Sequence, residues 1–292
     1  MNRPRPTTRA TVWKVRGDRP REETDVLATE EPMEIRVESG PKDRRETTSL
    51  SVTMRTPGHD FELAAGFLFT EGIVSRPRDL SRIEYCTDAG VEQEFNIVSA
   101  SFRPDVEFQP DRLTRHFYMT SSCGVCGKTA LDAIRIAVRY PIPRGRPTLE
   151  PEIIASLPER LREGQEWFSE TGGVHAAGLF DPAGNLVVVR EDVGRHNAVD
   201  KVVGEAFLAN RVPLSESLLA VSGRGSFEIL QKAAVAGVPC VVAVGAPSNL
   251  AVRIADEFGM TLVGFARGGT FNVYAGLGRF SEATRPSRTS VK

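Results

Sequence analysis

The chain has 292 residues, 40% of them hydrophobic, enough to bury one large core or two ordinary ones. Its 37 Lys and Arg against 38 Asp and Glu leave a formal net charge of -1, which argues against a general nucleic-acid binder while leaving room for a local basic cleft. Four cysteines without framework spacing point to a reducing compartment; with no bilayer-length apolar run and no signal-peptide core, the chain reads as soluble, cytoplasmic and not membrane-bound.

Residues 1–24 are rich in Arg and Pro and read as a disordered tail. Pro4, Pro6 and the acidic Glu22-Glu23 disfavour the amphipathic helix of a transit peptide. Residues 33–37 and 49–54 alternate apolar and polar side chains as half-buried strands. Thr56-Pro57-Gly58 turns the chain, and Asp60 reads as the N-cap of a helix carrying Phe61, Leu63, Ala64, Phe67 and Leu68 that closes near Glu71-Gly72. Further strands are expected over 83–86, 94–99 and 117–119. Together these predict an N-terminal α+β domain over 25–140 that ends in a cysteine loop and its helix.

That loop, Ser121-Ser122-Cys123-Gly124-Val125-Cys126-Gly127-Lys128, places a CxxC pair just before a helical pattern. Unpaired amides at a helix start carry partial positive charge, and Lys128 adds a full one, so one of the thiols should ionise more readily than a free cysteine. Flanking glycines let the loop swing or be approached closely. Three other readings stand beside a reactive thiol. A structural zinc needs a second ligand pair, whereas Cys86 and Cys240 stand alone. A dithiol oxidoreductase would normally carry its CxxC after a strand. An inert pair is the third, although two thiols on a glycine loop rarely serve packing. The reactive reading leads.

A Pro- and Gly-bearing linker is expected over 141–149, and an α/β domain over 150–280. Its helices are predicted at 151–162, 197–209, 227–236 and 249–258. Its strands are predicted at 174–180, 186–189, 218–221, 240–244 and 261–265. Short apolar strands alternating with helices signal a three-layer, largely parallel sheet. Residues 281–292 read as a second disordered tail.

Three turns in this half share one position, the end of a strand. They carry Gly194-Arg195-His196-Asn197, Ser222-Gly223-Arg224 and Phe265-Ala266-Arg267-Gly268-Gly269-Thr270. Ligands collect at the carboxyl ends of such strands, where helix N-termini supply amide donors and arginine can bind phosphate bidentately. Any one alone reads as an ordinary turn with a solvated arginine; three at equivalent ends point to an anion site. Neither GxxxxGK[ST] nor a GxGxxG after the first strand is present. A zinc deaminase needs an acid beside its histidine and a PCxxC run, but His175 is followed by Ala176-Ala177 and Pro239-Cys240 lacks a second cysteine. No metal is therefore expected. Two readings stay open for this region: His175 as a satisfied histidine beside the sheet, or Asp192, Arg195 and His196 as one local polar network.

These motifs, in order, resemble the formate dehydrogenase accessory sulfurtransferases, the FdhD-type family. The resemblance runs from Thr24 to Ala275. It rests on Met54-Arg55-Thr56-Pro57-Gly58 with Asp60, on Ser121-Ser122-Cys123-Gly124-Val125-Cys126-Gly127, and on Thr171-Gly172-Gly173-Val174-His175-Ala176-Ala177. Glu191-Asp192-Val193-Gly194-Arg195-His196-Asn197, Ser222-Gly223-Arg224 and Gly264-Phe265-Ala266-Arg267 complete it. What it implies is a carrier that takes persulfide sulfur from a cysteine desulfurase and passes it to the molybdenum cofactor in its bis(molybdopterin guanine dinucleotide) form. That cofactor would be bound as substrate, and formate dehydrogenase would be the enzyme activated. It further implies a cytidine-deaminase-like C-terminal fold and a homodimer. By the family motif Cys123 would carry the persulfide with Cys126 as partner, and residues 265–270 would contact a guanine nucleotide moiety. A non-catalytic cofactor chaperone and a dithiol oxidoreductase are the competing functions.

Overall fold

The structure is a computed structural model that describes residues 3–86, 94–108 and 138–281. It opens on a hairpin of β1 (Thr7–Arg16) and β2 (Arg19–Ala28). This corrects the expected disordered tail over 1–24. The strands pair without a register shift from Thr7↔Ala28 to Arg16↔Arg19, and Gly17, in the left-handed region at φ 69°, closes a two-residue turn. Composition misled because both faces are mostly polar, so the hairpin rests on backbone pairing and cross-strand contacts such as Lys14 to Glu23 at 3.2 Å.

β3 (Glu31–Ser39), β4 (Glu46–Arg55), β5 (Leu80–Tyr85) and β6 (Ile97–Phe102) form a four-stranded sheet in the order β4-β3-β6-β5. Met33, Ile35 and Val37 alternate inward from β3, as their spacing predicts. Between β4 and β5 lies α1 (Asp60–Thr70), whose N-cap is His59 rather than Asp60. Asp60 instead sits inside the first turn, accepting from the Gly58 amide at 3.1 Å and pairing with the buried Arg55 at 3.1 Å.

The second half contains α2 (Pro151–Glu163), the short α3 (Glu166–Thr171), β7 (His175–Phe180), β8 (Leu186–Asp192) and α4 (Arg195–Leu208). It continues through β9 (Leu218–Val221), α5 (Phe227–Val235), β10 (Cys240–Ala243), α6 (Asn249–Phe258), β11 (Thr261–Arg267) and β12 (Thr270–Ala275). The strands form one sheet in the order β12-β11-β10-β9-β7-β8. β10 runs parallel to β9 and β11, while the β7–β8, β7–β9 and β11–β12 pairings are antiparallel. The sheet is therefore mixed rather than largely parallel. The strand over Thr270–Ala275, which is not among the expected strands, adds one antiparallel edge.

Strand alternation splits the sheet between two layers of helix. Leu218, Ala220 and Val242 face α2 through Ile154, Leu157 and Leu161. Leu219, Val221 and Val241 face α4, α5 and α6. The same inner cluster takes in Ala65, Leu68 and Phe69 of α1 and Val37, Ala100 and Phe102 of the smaller sheet, so both halves share one core. α1 lies against α4 at a crossing that only glycine permits. A Cβ on Gly66 would stand 1.8 Å from the Asp200 carbonyl oxygen, and one on Gly204 would stand 1.8 Å from that of Glu62. No helix among the described residues is long and apolar enough to cross a membrane.

Candidate functional site

The carboxyl ends of β9, β10 and β11 and the start of β7 meet α2 and α3 around a cavity of about 770 Å³. Ser222, Ala266 and Arg267, three of the residues singled out in the sequence, line it together with Gln165, Phe168 and His175. Ser222 is pinned to β7 by both directions of hydrogen bonding. Its amide donates to the Ala176 carbonyl and its hydroxyl accepts from the Ala176 amide, each at 2.9 Å. Gly223 follows, and a Cβ there would lie 3.5 Å from Nδ1 of His175 and 3.6 Å from Cδ of Arg195. A larger side chain would fill the space between those two groups. Gly223, His175 and Arg195 are thus neighbours, although they come from separate turns.

Arg195 opens α4 beside Gly194, whose side-chain-free N-cap gives the helix no side-chain capping bond. The first amides of α4 are left without intrahelical partners, as at any helix start. Nε of Arg195 is buried without a hydrogen-bond partner, and the side chains of Arg195 and His175 make no hydrogen bond or ion pair with other described residues. Burial first, then the positive field of Arg195 and His196, pushes the His175 imidazole below its ordinary range against the opposing pull of Asp192. His175 and Arg195 thus stand on either side of Gly223.

Gln165 is the residue that sequence reading missed. It is the N-cap of α3 and only 4% exposed, yet it makes no side-chain capping bond. The amides it would cap are already taken, because the Glu191 carboxylate accepts from Trp167 and Phe168 at 2.8 Å each. Its side-chain Nε2 is left buried and unpartnered in the wall of the cavity. No local pattern marks it, since the competing cap comes from a strand twenty-odd residues away.

The remaining candidates are not among the residues that line the cavity. Arg224 is exposed and its Cα backs against Gly245. Phe265 is 38% exposed with φ 53°, a left-handed conformation inside the irregular stretch of the β11–β12 register. Gly268 and Gly269, with φ 57° and 74°, make the two-residue turn between Arg267 and Thr270, and the Thr270 hydroxyl donates to the Arg267 carbonyl at 3.1 Å. Cys123 and Cys126 lie outside the described residues. Cys240 is fully buried on β10, where burial pushes its thiol up to about 12.

Asp192, Arg195 and His196 do not form one network. Asp192 is wholly buried and takes the Lys201 ammonium at 2.7 Å, the Thr56 and Gly194 amides at 3.1 and 2.8 Å, and the Asn197 side chain at 2.9 Å. His196 turns the other way, to Glu228 at 2.6 Å and Ser226 at 3.4 Å. Arg195 belongs to neither. Lys201 in turn donates to the Thr56 and Glu191 carbonyls at 2.9 and 3.2 Å. The turn after β4 and the start of α4 are thereby locked together behind the cavity.

Residues 28–281 match the model of the FdhD/NarQ family. The chain is 51% identical over 278 residues to the sulfur carrier protein FdhD of Streptomyces coelicolor, covering 94% of this chain and 96% of that one. It is 43% identical over 254 residues to the protein of the same name from Thermoplasma volcanium, covering 87% and 88%. In fold it is similar to the crystal structure of a putative formate dehydrogenase accessory protein from Desulfotalea psychrophila. That likeness has a TM-score of 0.70 at 24% identity and covers 94% of this chain and 99% of the other.

Proposed function

Because the chain belongs to the FdhD/NarQ family, we propose that it is a sulfur carrier whose cargo reaches the molybdenum cofactor of a formate dehydrogenase. The observation that carries this reading is the match to curated sulfur carriers over nearly the whole chain. The cavity supports the second half of it, since a bis(molybdopterin guanine dinucleotide) ligand carries phosphates and Arg267 and Arg195 supply cations at the right edge of the sheet. The buried, raised thiol of Cys240 is unsuited to carry sulfur, and the CxxC pair is the carrier that the family motif implies.

In this reading the Cys123 thiolate attacks the outer sulfur of a cysteine desulfurase persulfide. A new S–S bond forms on Cys123, the old one breaks, and the desulfurase cysteine leaves as thiolate with the electron pair. For release as hydrosulfide, the Cys126 thiolate attacks Sγ of Cys123. The outer sulfur departs reduced by two electrons, and the two cysteines are left as a disulfide that a dithiol reductant must reopen.

Incubation of the purified protein with a desulfurase and cysteine, followed by mass spectrometry, should locate one added sulfur on Cys123. Cys123→Ala should abolish loading and formate dehydrogenase activation, and Cys126→Ala should keep part of both. Loading of Cys123→Ala with loss in Cys126→Ala would reverse the two roles. A double alanine variant that still activates the enzyme fully would sink the sulfur-transfer reading.

A further inference from the structure

β1 and β2 form a two-stranded sheet of their own, and nearly all of it precedes residue 28, where the match to the family model begins. A lone pair of strands is only marginally stable in water unless something packs against it. Arg16 and Arg19 flank the two-residue turn, so the even-numbered residues of β1 bond to β2 and the odd-numbered ones turn their N–H and C=O groups outward. The Thr29 amide, which donates to the Pro6 carbonyl at 2.9 Å, continues the same phase. The outward groups of β1 therefore belong to Thr7, Arg9, Thr11, Trp13 and Val15, none of them a proline. The outer edge of β2 carries Pro20, which has no N–H to offer. Among the described residues no third strand covers β1.

Charge on the hairpin selects what can cover that edge. One face of its tip holds Lys14, Arg16, Arg19 and Arg21, all exposed. The register sets Lys14 directly opposite Arg21 and Arg16 directly opposite Arg19, two like-charged pairs that oppose closure of the hairpin. Glu23 answers one of the four, at 3.2 Å from Lys14, while Asp18 sits in the turn and Asp25 lies farther down, opposite Ala10. β1 itself has no acidic residue. Its other face presents Trp13 and Val15, 65% and 63% exposed, with Pro20 opposite Val15. At the base a groove of about 830 Å³, lined by Arg5, Thr7, Thr8, Arg9 and Val26, separates the hairpin from Glu170 of α3.

We propose that the free edge of β1 is a docking site for an extended segment of a partner protein in which acidic and apolar residues alternate, added to the hairpin as a third strand. Side chains alternate between the two faces of such a strand, so its acids fall beside Lys14 and Arg16 and its apolar residues beside Trp13 and Val15. The added carboxylates relieve the repulsion at the tip, and the added backbone satisfies the outward groups of β1. A second copy of this chain is the wrong occupant. Symmetric pairing of two β1 strands sets Arg9, Lys14 and Arg16 against the same three cations with no acid between them, and Pro20 interrupts the edge of β2. Nothing in this pairing depends on the sulfur-carrier function.

The test uses the full-length protein and a fluorescent peptide of alternating Glu and Val, about ten residues long to match β1, with anisotropy as the readout. Wild type should bind this peptide, more weakly as salt rises, and should not bind its Lys–Val counterpart. Lys14→Glu combined with Arg16→Glu should weaken the Glu–Val peptide roughly tenfold and gain the Lys–Val one. Each new glutamate there faces an arginine, so the hairpin itself keeps its fold. Thr11→Pro removes one outward N–H, leaves the bonds to β2 in place, and should weaken the Glu–Val peptide about fivefold. No binding of the Glu–Val peptide up to millimolar concentration, equal binding of both peptides by wild type, or unchanged affinity in either variant overturns the proposal. A solution mass that halves on Thr11→Pro would assign the edge to a second copy and overturn it as well.

Discussion

Glu62 sits on α1, and its carboxylate grips the guanidinium of Arg190 on β8 through both oxygens, with Nη2 at 2.9 Å. Burial pushes this carboxyl up, but the bonds from Arg190 and His59 outweigh it and bring it down to about 2. An unfolded chain has an ordinary glutamate there, so the native state gains about 3 kcal/mol from this group at neutral pH. The folded value lies below the unfolded one, so this stability is present above about pH 4.5 and is lost as pH falls toward 2. Denaturant unfolding of wild type and Glu62→Gln should show a large gap at pH 7 that closes progressively below pH 5; a gap independent of pH would refute the assignment. At Cys240 the raised thiol should resist alkylation at pH 8 in the native protein and react only once it is unfolded, as read by mass.

At the scale of elements, the α1–α4 crossing is decided by two glycines. Backbone, not a flexible side chain, occupies the space next to Gly66, since the Asp200 carbonyl oxygen would stand 1.8 Å from an added Cβ. Gly66→Ala must therefore push the helices apart and disturb the core that Leu68, Val202 and Val203 share. A loss of more than about 3 kcal/mol is expected in thermal or denaturant melts. Gly278, which has nothing within 4 Å of an added Cβ and no positive φ, is the control. Its alanine variant should stay within about 0.5 kcal/mol of wild type. Equal effects from the two would mean that the crossing is not glycine-limited.

At the scale of the molecule, one buried ion pair joins the two sheets. Lys201 and Asp192 are both wholly buried, and through Thr56 they fasten the turn after β4 to the end of β8 and the start of α4. Burial drives the Lys201 ammonium down, and the Asp192 carboxylate opposes that shift. Lys201→Met strands a buried carboxylate and should cost about 3–5 kcal/mol of stability. Adding Asp192→Leu should not restore it, because the Thr56 and Gly194 amides and the Asn197 side chain would then lose their acceptor. Recovery in the double variant, measured by unfolding, would show that the pair acts alone rather than as the centre of a network.

Local sequence was enough for every element whose pattern is set by its own residues. The helix at 249–258 and the strand at 218–221 have the bounds the sequence predicts; the structure shows the Ser248 hydroxyl capping the helix, and the strand is an unbroken apolar run. So was the convergence of Ser222 and Arg267 on one edge, since strand ends in a sheet of this kind must line up. The N-terminal hairpin was not legible, because its stability comes from backbone pairing that polar composition does not advertise. Gln165 and His175 were decided by tertiary structure alone. Whether a buried donor is satisfied depends on what other segments bring to it: Glu191 takes the cap that Gln165 would have made, and burial first, with the field of Arg195 second, lowers the His175 imidazole.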